Sequence, residues 1–256
     1  MIDVPIKIGT SIIITIRVHR FYAEDIERTL TLPEDESRHA TRVLRLSEGD
    51  EIEVVDGKGT LLRCRLTLAQ AKRAMVEIEA RETIAPHWGA GIHIAIAPTK
   101  NLDRLEWMAE KCTEMGIDGI TPLLCAHSER RVLKTERLHK ILVAAMKQSL
   151  KATLPNLDEL TPIESVLRRS FNGKKYLAYC DPELPRDKRL DFSREYDPSE
   201  PALIMIGPEG DFSPEEVAAA LDAGFRPVTL GESRLRTETA AVYACAACHS
   251  LKRCKM

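Results

Sequence analysis

Residues 203–241 hold two short apolar runs, and each stops at glycine. Leu203 to Ile206 reads as a buried strand and runs straight into Gly207-Pro208-Glu209-Gly210. Ser213 then opens a helix: Ser213 and Glu216 have capping-box spacing, and Pro214 takes the first helical position, where a missing N–H costs nothing. Gly224 stops that helix. A second strand, Pro227 to Leu230, ends at Gly231. Residues 232–238 are polar apart from Leu235 and lead into a last helix. Two neighbouring strands ending in glycine loops predict a crevice at the carboxyl edge of a sheet, where open α/β sheets bind ligands.

The rest of the chain fits that frame. From residue 92 strand and helix alternate, which predicts a mainly parallel sheet flanked by helices. The predicted strands are Ile92–Ala97, Ile120–Cys125 and Tyr176–Cys180. Asn101 can cap a helix that buries Leu102, Leu105, Met108, Ala109, Cys112 and Met115, with Gly116 ending it. Thr135 can cap another, with Leu138, Ile141, Leu142 and Ala145 inward. Residues 181–201, charged and proline-rich, read as a surface loop. Residues 80–91 carry Pro, Gly and a composition shift, the best domain boundary. Before it, Glu51–Val55, Leu61–Leu66 and Met75–Glu79 are short strands, and Asp56-Gly57-Lys58-Gly59 is a hairpin signal. Together they predict a small barrel, with Glu36–Leu46 as one helix carrying Ala40, Val43 and Leu44 on its apolar side.

Composition narrows the function. At 256 residues and 44% hydrophobic, the chain can bury a core. A net charge of −2 excludes a global positive field, so any nucleic-acid surface is a local patch. Seven scattered cysteines fit reduced thiols in the cytoplasm. No apolar run approaches the roughly 20 residues that span a bilayer. Residues 1–17 read as an extra β-prone extension.

Several groups carry candidate chemistry. Glycine loops let backbone groups approach a ligand, and they also serve as ordinary strand-to-helix turns. This loop has neither dinucleotide-fingerprint spacing nor a Walker lysine, which disfavours NAD and nucleoside triphosphates. Residues Arg234 to Thr239 pack two cations, two hydroxyls and a carboxylate into six positions. An arginine there can polarise a substrate oxygen or hold a phosphate, while the threonines and Glu238 also suit a helix start. Cys245-Ala246-Ala247-Cys248-His249 matches a haem-attachment pattern but lies in an alanine-rich helix, where both cysteines can face a core. Arg38, Arg42 and Arg45 fall at helical spacing and share a face that suits phosphates or solvent. Residues 17–84 hold 12 Lys/Arg against 14 Asp/Glu, so clustering alone speaks for RNA there. Lys147 and Gln148 end a helix, where a lysine suits the dipole or an RNA. Cys112 and Cys125 read as core residues.

Four stretches in order, HATRVLRLSEGD (39–50), DRLEWMAEKCTEMGIDGITPL (103–123), IGPEGDFSPEEV (206–217) and LGESRLRTETAA (230–241), resemble the ribosomal RNA small subunit methyltransferase E family. The resemblance covers about residues 19–252 and suits a natural start near Val18 or His19. It implies an α/β fold: a SPOUT-type α/β domain with a C-terminal deep trefoil knot (residues 90–256), preceded by a small PUA-like β-barrel domain that binds RNA (18–84). It implies S-adenosylmethionine as cofactor, 16S rRNA of the small ribosomal subunit as substrate, methylation at uridine N3, a homodimer, no metal and no membrane. Carried onto this chain, the cofactor residues are Ile206, Gly207, Pro208, Glu209, Gly210, Leu230, Gly231, Leu235 and Arg236. Uracil N3 must lose a proton before it attacks, so Arg236 is assigned to the developing charge and Glu209 or Glu238 to the proton. Arg20, Arg38, His39, Arg42, Arg45, Lys147 and Gln148 are assigned to rRNA. Two positions depart from the family: Asp211 where many members have glycine, and Lys147 where glutamate is usual. Other readings are a ribose or tRNA methyltransferase of the same knotted class and a non-catalytic assembly factor.

Overall fold

The computed structural model describes residues 19–179 and 190–255, and the expectation for residues 1–17 lies outside them. The chain divides after Ile84 into two compact units.

In the first unit, strand β1 (Arg20–Tyr22) pairs parallel with β2 (Glu51–Val55). Strands β3 (Thr60–Gln70) and β4 (Arg73–Thr83) follow antiparallel, giving the order β1-β2-β3-β4. Between β1 and β2 lie helices α1 (Ile26–Thr29) and α2 (Glu34–Arg38). Thr31 makes an isolated antiparallel bridge to Met75 of β4. The hairpin signal holds: Asp56 Oδ1 accepts the N–H groups of Lys58 and Thr60 at 2.7 and 2.9 Å. Strand alternation buries Ile52, Val54, Leu62, Cys64 and Leu66 with Phe21 and Ile26.

The single helix predicted over Glu36–Leu46 is not formed. Helix α2 runs into a π-helical turn, His39–Val43. The wider turn slips the register, so Ala40 and Leu44 face the core while Val43 stands 65% exposed. Arg45 lies outside the helix with φ +57°, so Arg38, Arg42 and Arg45 do not share a helix face.

In the second unit, six parallel strands form the order β11-β9-β10-β5-β6-β7, with β8 paired beside β6. They are β5 (Ile92–Ile96), β6 (Gly119–Leu124), β7 (Asn156–Leu157), β8 (Thr161–Pro162), β9 (Lys174–Ala178), β10 (Ala202–Ile206) and β11 (Arg226–Val228). The helices are α3 (Leu102–Met115), α4 (Thr135–Gln148), α5 (Ile163–Arg168), α6 (Phe192–Glu195), α7 (Pro214–Asp222) and α8 (Thr237–Lys255). All five residues of β10 are buried. Ile204 and Ile206 join Leu105, Met108, Leu142 and Ala241 on one face. Leu203 and Met205 join Ile163, Phe212 and Ala220 on the other. A sheet covered on both faces explains the unbroken apolar runs.

Asn101 caps α3 through its side chain, which accepts the Asp103 N–H at 3.0 Å. Thr135 does not cap α4: it is already helical, and its hydroxyl donates to Glu159 at 2.6 Å. Residues 190–196 are not a plain surface loop. Phe192 and Tyr196 are buried against Tyr176, an aromatic cluster hidden among charged neighbours in the sequence. Cys245 and Cys248 sit in the core of α8, and the Nε2 of His249 lies 2.8 Å from the Gly116 carbonyl. Burial pushes the Cys125 thiol up to about 12, which suits packing and not reactivity. Among the described residues no helix is long and apolar enough to cross a membrane.

Candidate active site

Strand β10 delivers the first glycine loop. The capping box forms as spaced: Ser213 Oγ accepts the Glu216 N–H at 3.2 Å, and Glu216 accepts the Ser213 N–H at 2.8 Å. Glu216 also accepts the Ala126 N–H at 2.7 Å, tying α7 to the loop after β6. A Cβ at Gly207 would sit 3.0 Å from the Phe212 ring, so a side chain there requires that ring to give by a few tenths of an ångström. Asp211 adopts φ +63°, the left-handed conformation that the family's usual glycine enters at no cost. Its carboxylate accepts the Phe212 N–H at 2.8 Å, a local bond that makes aspartate tolerable there.

The second loop follows β11. The sequence places the two glycine strands side by side, but β9 lies between them and pairs with both. The loops meet nonetheless, because the chain turns back after β11. Thr237 Oγ1 donates to the Gly207 carbonyl at 3.2 Å, a buried bond. Leu230 and Leu235 are half-buried against the cluster that includes Ile206, Val228 and Ala240. Gly231 has φ +117°, and a Cβ built there meets nothing within 4 Å. An apolar floor, two glycine backbones and open space above one of them fit a flat ligand with an apolar ring and polar edges.

Charge gathers at the rim. Arg236 is exposed, and Glu238 is 7% exposed with Arg104 Nε 3.8 Å from its carboxylate. Glu209 reaches the other way: its Oε1 accepts the Lys100 N–H at 3.0 Å, joining the glycine loop to the loop after β5. A third segment, after β6, closes the same edge. The Nδ1 of His127 lies 3.2 and 3.0 Å from the Gly210 and Asp211 carbonyls, and the Arg130 guanidinium donates to the Lys100 carbonyl at 2.7 Å. Sequence reasoning missed Lys100, Arg104, His127, Arg130 and Arg131. Lys100 and His127 follow predicted strands, at the edge where open α/β sheets bind ligands, but nothing local in the sequence brings those loops against residues 207–211.

The residues assigned to RNA are scattered. Arg20 is held by Glu53 at 3.0 and 2.6 Å, with its side chain 11% exposed. Arg38 pairs with Glu34 at 2.7 Å on the surface. Arg42, Arg45 and His39 are exposed, the last edge-on to Phe21. Lys147 is half-buried and Gln148 exposed in the last turn of α4, in the second unit.

Known proteins define the class first. An RNA methyltransferase domain matches residues 87–249, and an RNA methyltransferase PUA domain matches residues 32–79. A probable rRNA-methyltransferase from Porphyromonas gingivalis superposes with a TM-score of 0.87 at 44% identity, covering 93% of this chain and 100% of that one. A ribosomal RNA small subunit methyltransferase E from Neisseria gonorrhoeae, bound to S-adenosyl methionine, gives a TM-score of 0.77 at 28% identity, covering 92% of this chain and 98% of that one. The Mycobacterium bovis protein of that name is 30% identical, over 82% of each chain. The chain belongs to the ribosomal RNA small subunit methyltransferase E family.

Proposed function

We propose that this protein transfers a methyl group from S-adenosylmethionine to N3 of a uridine in the 16S rRNA of the small ribosomal subunit. One observation carries the reading: the Thr237–Gly207 bond seats the two glycine loops together over an apolar floor. Leu230 and Leu235 would flank the adenine, and backbone groups of residues 206–210 and 230–236 would read its edge. S-adenosylmethionine, when bound, supplies an electrophilic methyl group on a sulfonium. The protein's own work is to hold the uracil in line and to lower the cost of taking its N3 proton. Arg236, at the rim with no carboxylate at salt-bridge distance among the described residues, stabilises the charge that spreads onto the ring carbonyls. Glu209 or Glu238 takes the proton. Of the two, Glu209 already spends one oxygen on Lys100, and Glu238 is more enclosed.

Residues 90–256 form the methyltransferase domain and 18–84 the RNA-binding domain, with Arg38, His39, Arg42 and Arg45 facing phosphate. Arg20 serves the barrel itself. The return of the chain from β11 across β9 to Gly207, followed by α8 packing on α3, β5 and β10, supports a deep trefoil knot. We propose a homodimer to which Trp107 on α3 and Tyr243 on α8, 44% and 47% exposed on helices that pack together, each contribute apolar surface. The protein works in the cytoplasm, where its substrate is made. The test is mass spectrometry of 16S rRNA from a strain lacking the gene. Loss of one N3-methyluridine supports the reading, and its persistence refutes it.

A further inference from the structure

Beside the first glycine loop lies a cavity of about 370 Å³ lined by Lys100, Glu129, Arg130, Arg131 and Val132. Three cations and one carboxylate leave it net positive in a chain that is net negative. The cations differ in how they are held. Lys100 pairs with Glu129 at 2.9 Å, but both side chains are at least half exposed, so water screens the pair. The Arg130 guanidinium is oriented by two carbonyls, Lys100 O at 2.7 Å and Thr99 O at 3.4 Å. Those carbonyls fix its plane and leave its charge uncompensated. Among the described residues, Arg131 reaches only the Ala126 carbonyl, at 3.5 Å. Among the described residues, neither arginine has a carboxylate at salt-bridge distance.

The cavity is also fastened to the proposed reaction centre. The Lys100 N–H binds Glu209 of the glycine loop, and His127, three residues before Arg130, contacts the Gly210 and Asp211 carbonyls. A planar cation with free donors, fixed beside a site that takes a nucleotide, matches a phosphodiester. We infer that Arg130, Arg131 and Lys100 form a phosphate subsite for the RNA strand next to the target uridine. The methyltransferase unit then grips its substrate directly, whatever the barrel unit contributes. This rests on the reading of the protein as an RNA methyltransferase.

Arg131 is the position to test, because its side chain holds little of the fold. Arg131→Glu and Arg131→Lys are compared with the parent for melting temperature, S-adenosylmethionine affinity by calorimetry, and methylation of unmodified small subunits over a range of KCl. Binding of the subunits without cofactor is measured in parallel, so the subsite is read even if the parent shows no turnover. Arg131→Glu keeps its melting temperature and keeps cofactor affinity within about twofold. Its KM for subunits rises about tenfold or more, and its salt slope for subunit binding falls by about one. Arg131→Lys recovers most of both. Parental subunit binding and salt slope in Arg131→Glu would overturn the subsite. So would a fall in cofactor affinity with subunit binding unchanged, which would assign the cavity to the cofactor.

Discussion

Removing one hydroxyl tests whether the two glycine loops act as one site. In Thr237→Val the side chain keeps its shape and loses its donor, leaving the buried Gly207 carbonyl unpaired. A buried acceptor stripped of its partner costs about 1–3 kcal/mol. At 3.2 Å the bond is at the long end of the normal range, which argues for about 1.5 kcal/mol. If the cofactor binds only when the loops are docked, that cost lowers the docked fraction and weakens binding by up to about tenfold. Calorimetry with S-adenosylmethionine reads the affinity, and thermal denaturation reads the stability. Thr237→Ser, which keeps the hydroxyl, stays within about threefold of the parent. Parental cofactor affinity in Thr237→Val alongside a lowered melting temperature would refute the reasoning, because the bond would then serve the fold and not the cleft.

Three more outcomes follow from the same geometry. Arg236→Ala keeps cofactor affinity within a few fold and loses most turnover in a single-turnover methylation assay, since its partner is charge that develops during the reaction; near-parental turnover would remove it from catalysis. Asp211→Ala costs about 1 kcal/mol in denaturant melts because φ +63° strains a β-carbon that has lost its hydrogen-bonding group, whereas Asp211→Gly costs less than about 0.5 kcal/mol. Burial lowers His93 below the usual histidine range, against the opposing pull of Asp118 and Asp158. The unfolded chain then binds a proton near pH 6.5 that the folded ring refuses, so stability falls as pH drops below about 6.5, and His93→Gln flattens that limb by at most about 1.4 kcal/mol per pH unit.

Local chemistry was legible wherever one side chain decides a backbone conformation. The Ser213–Glu216 box, the Asn101 cap and the Asp56 turn all formed as spaced, because their partners lie within four residues. Strand order was not legible: β9 separates β10 from β11, and nothing within either strand encodes which neighbour it takes. The π-turn at His39–Val43 escaped because it inserts one residue without changing composition, yet it decides where Val43 and Arg45 point. At the site, Leu230, Leu235 and the glycines could be named from sequence because the family motifs contain them. Lys100, His127 and Arg130 could not, since only the fold brings their loops against residues 207–211.

The most direct measurement is to incubate the purified protein with unmodified small subunits and S-adenosylmethionine carrying an isotopically labelled methyl group, then digest the rRNA and identify the labelled nucleoside by mass spectrometry. The account predicts label on N3 of a single uridine, approaching one per subunit. Label on a ribose oxygen, or cofactor left unconsumed by a folded protein, would contradict it.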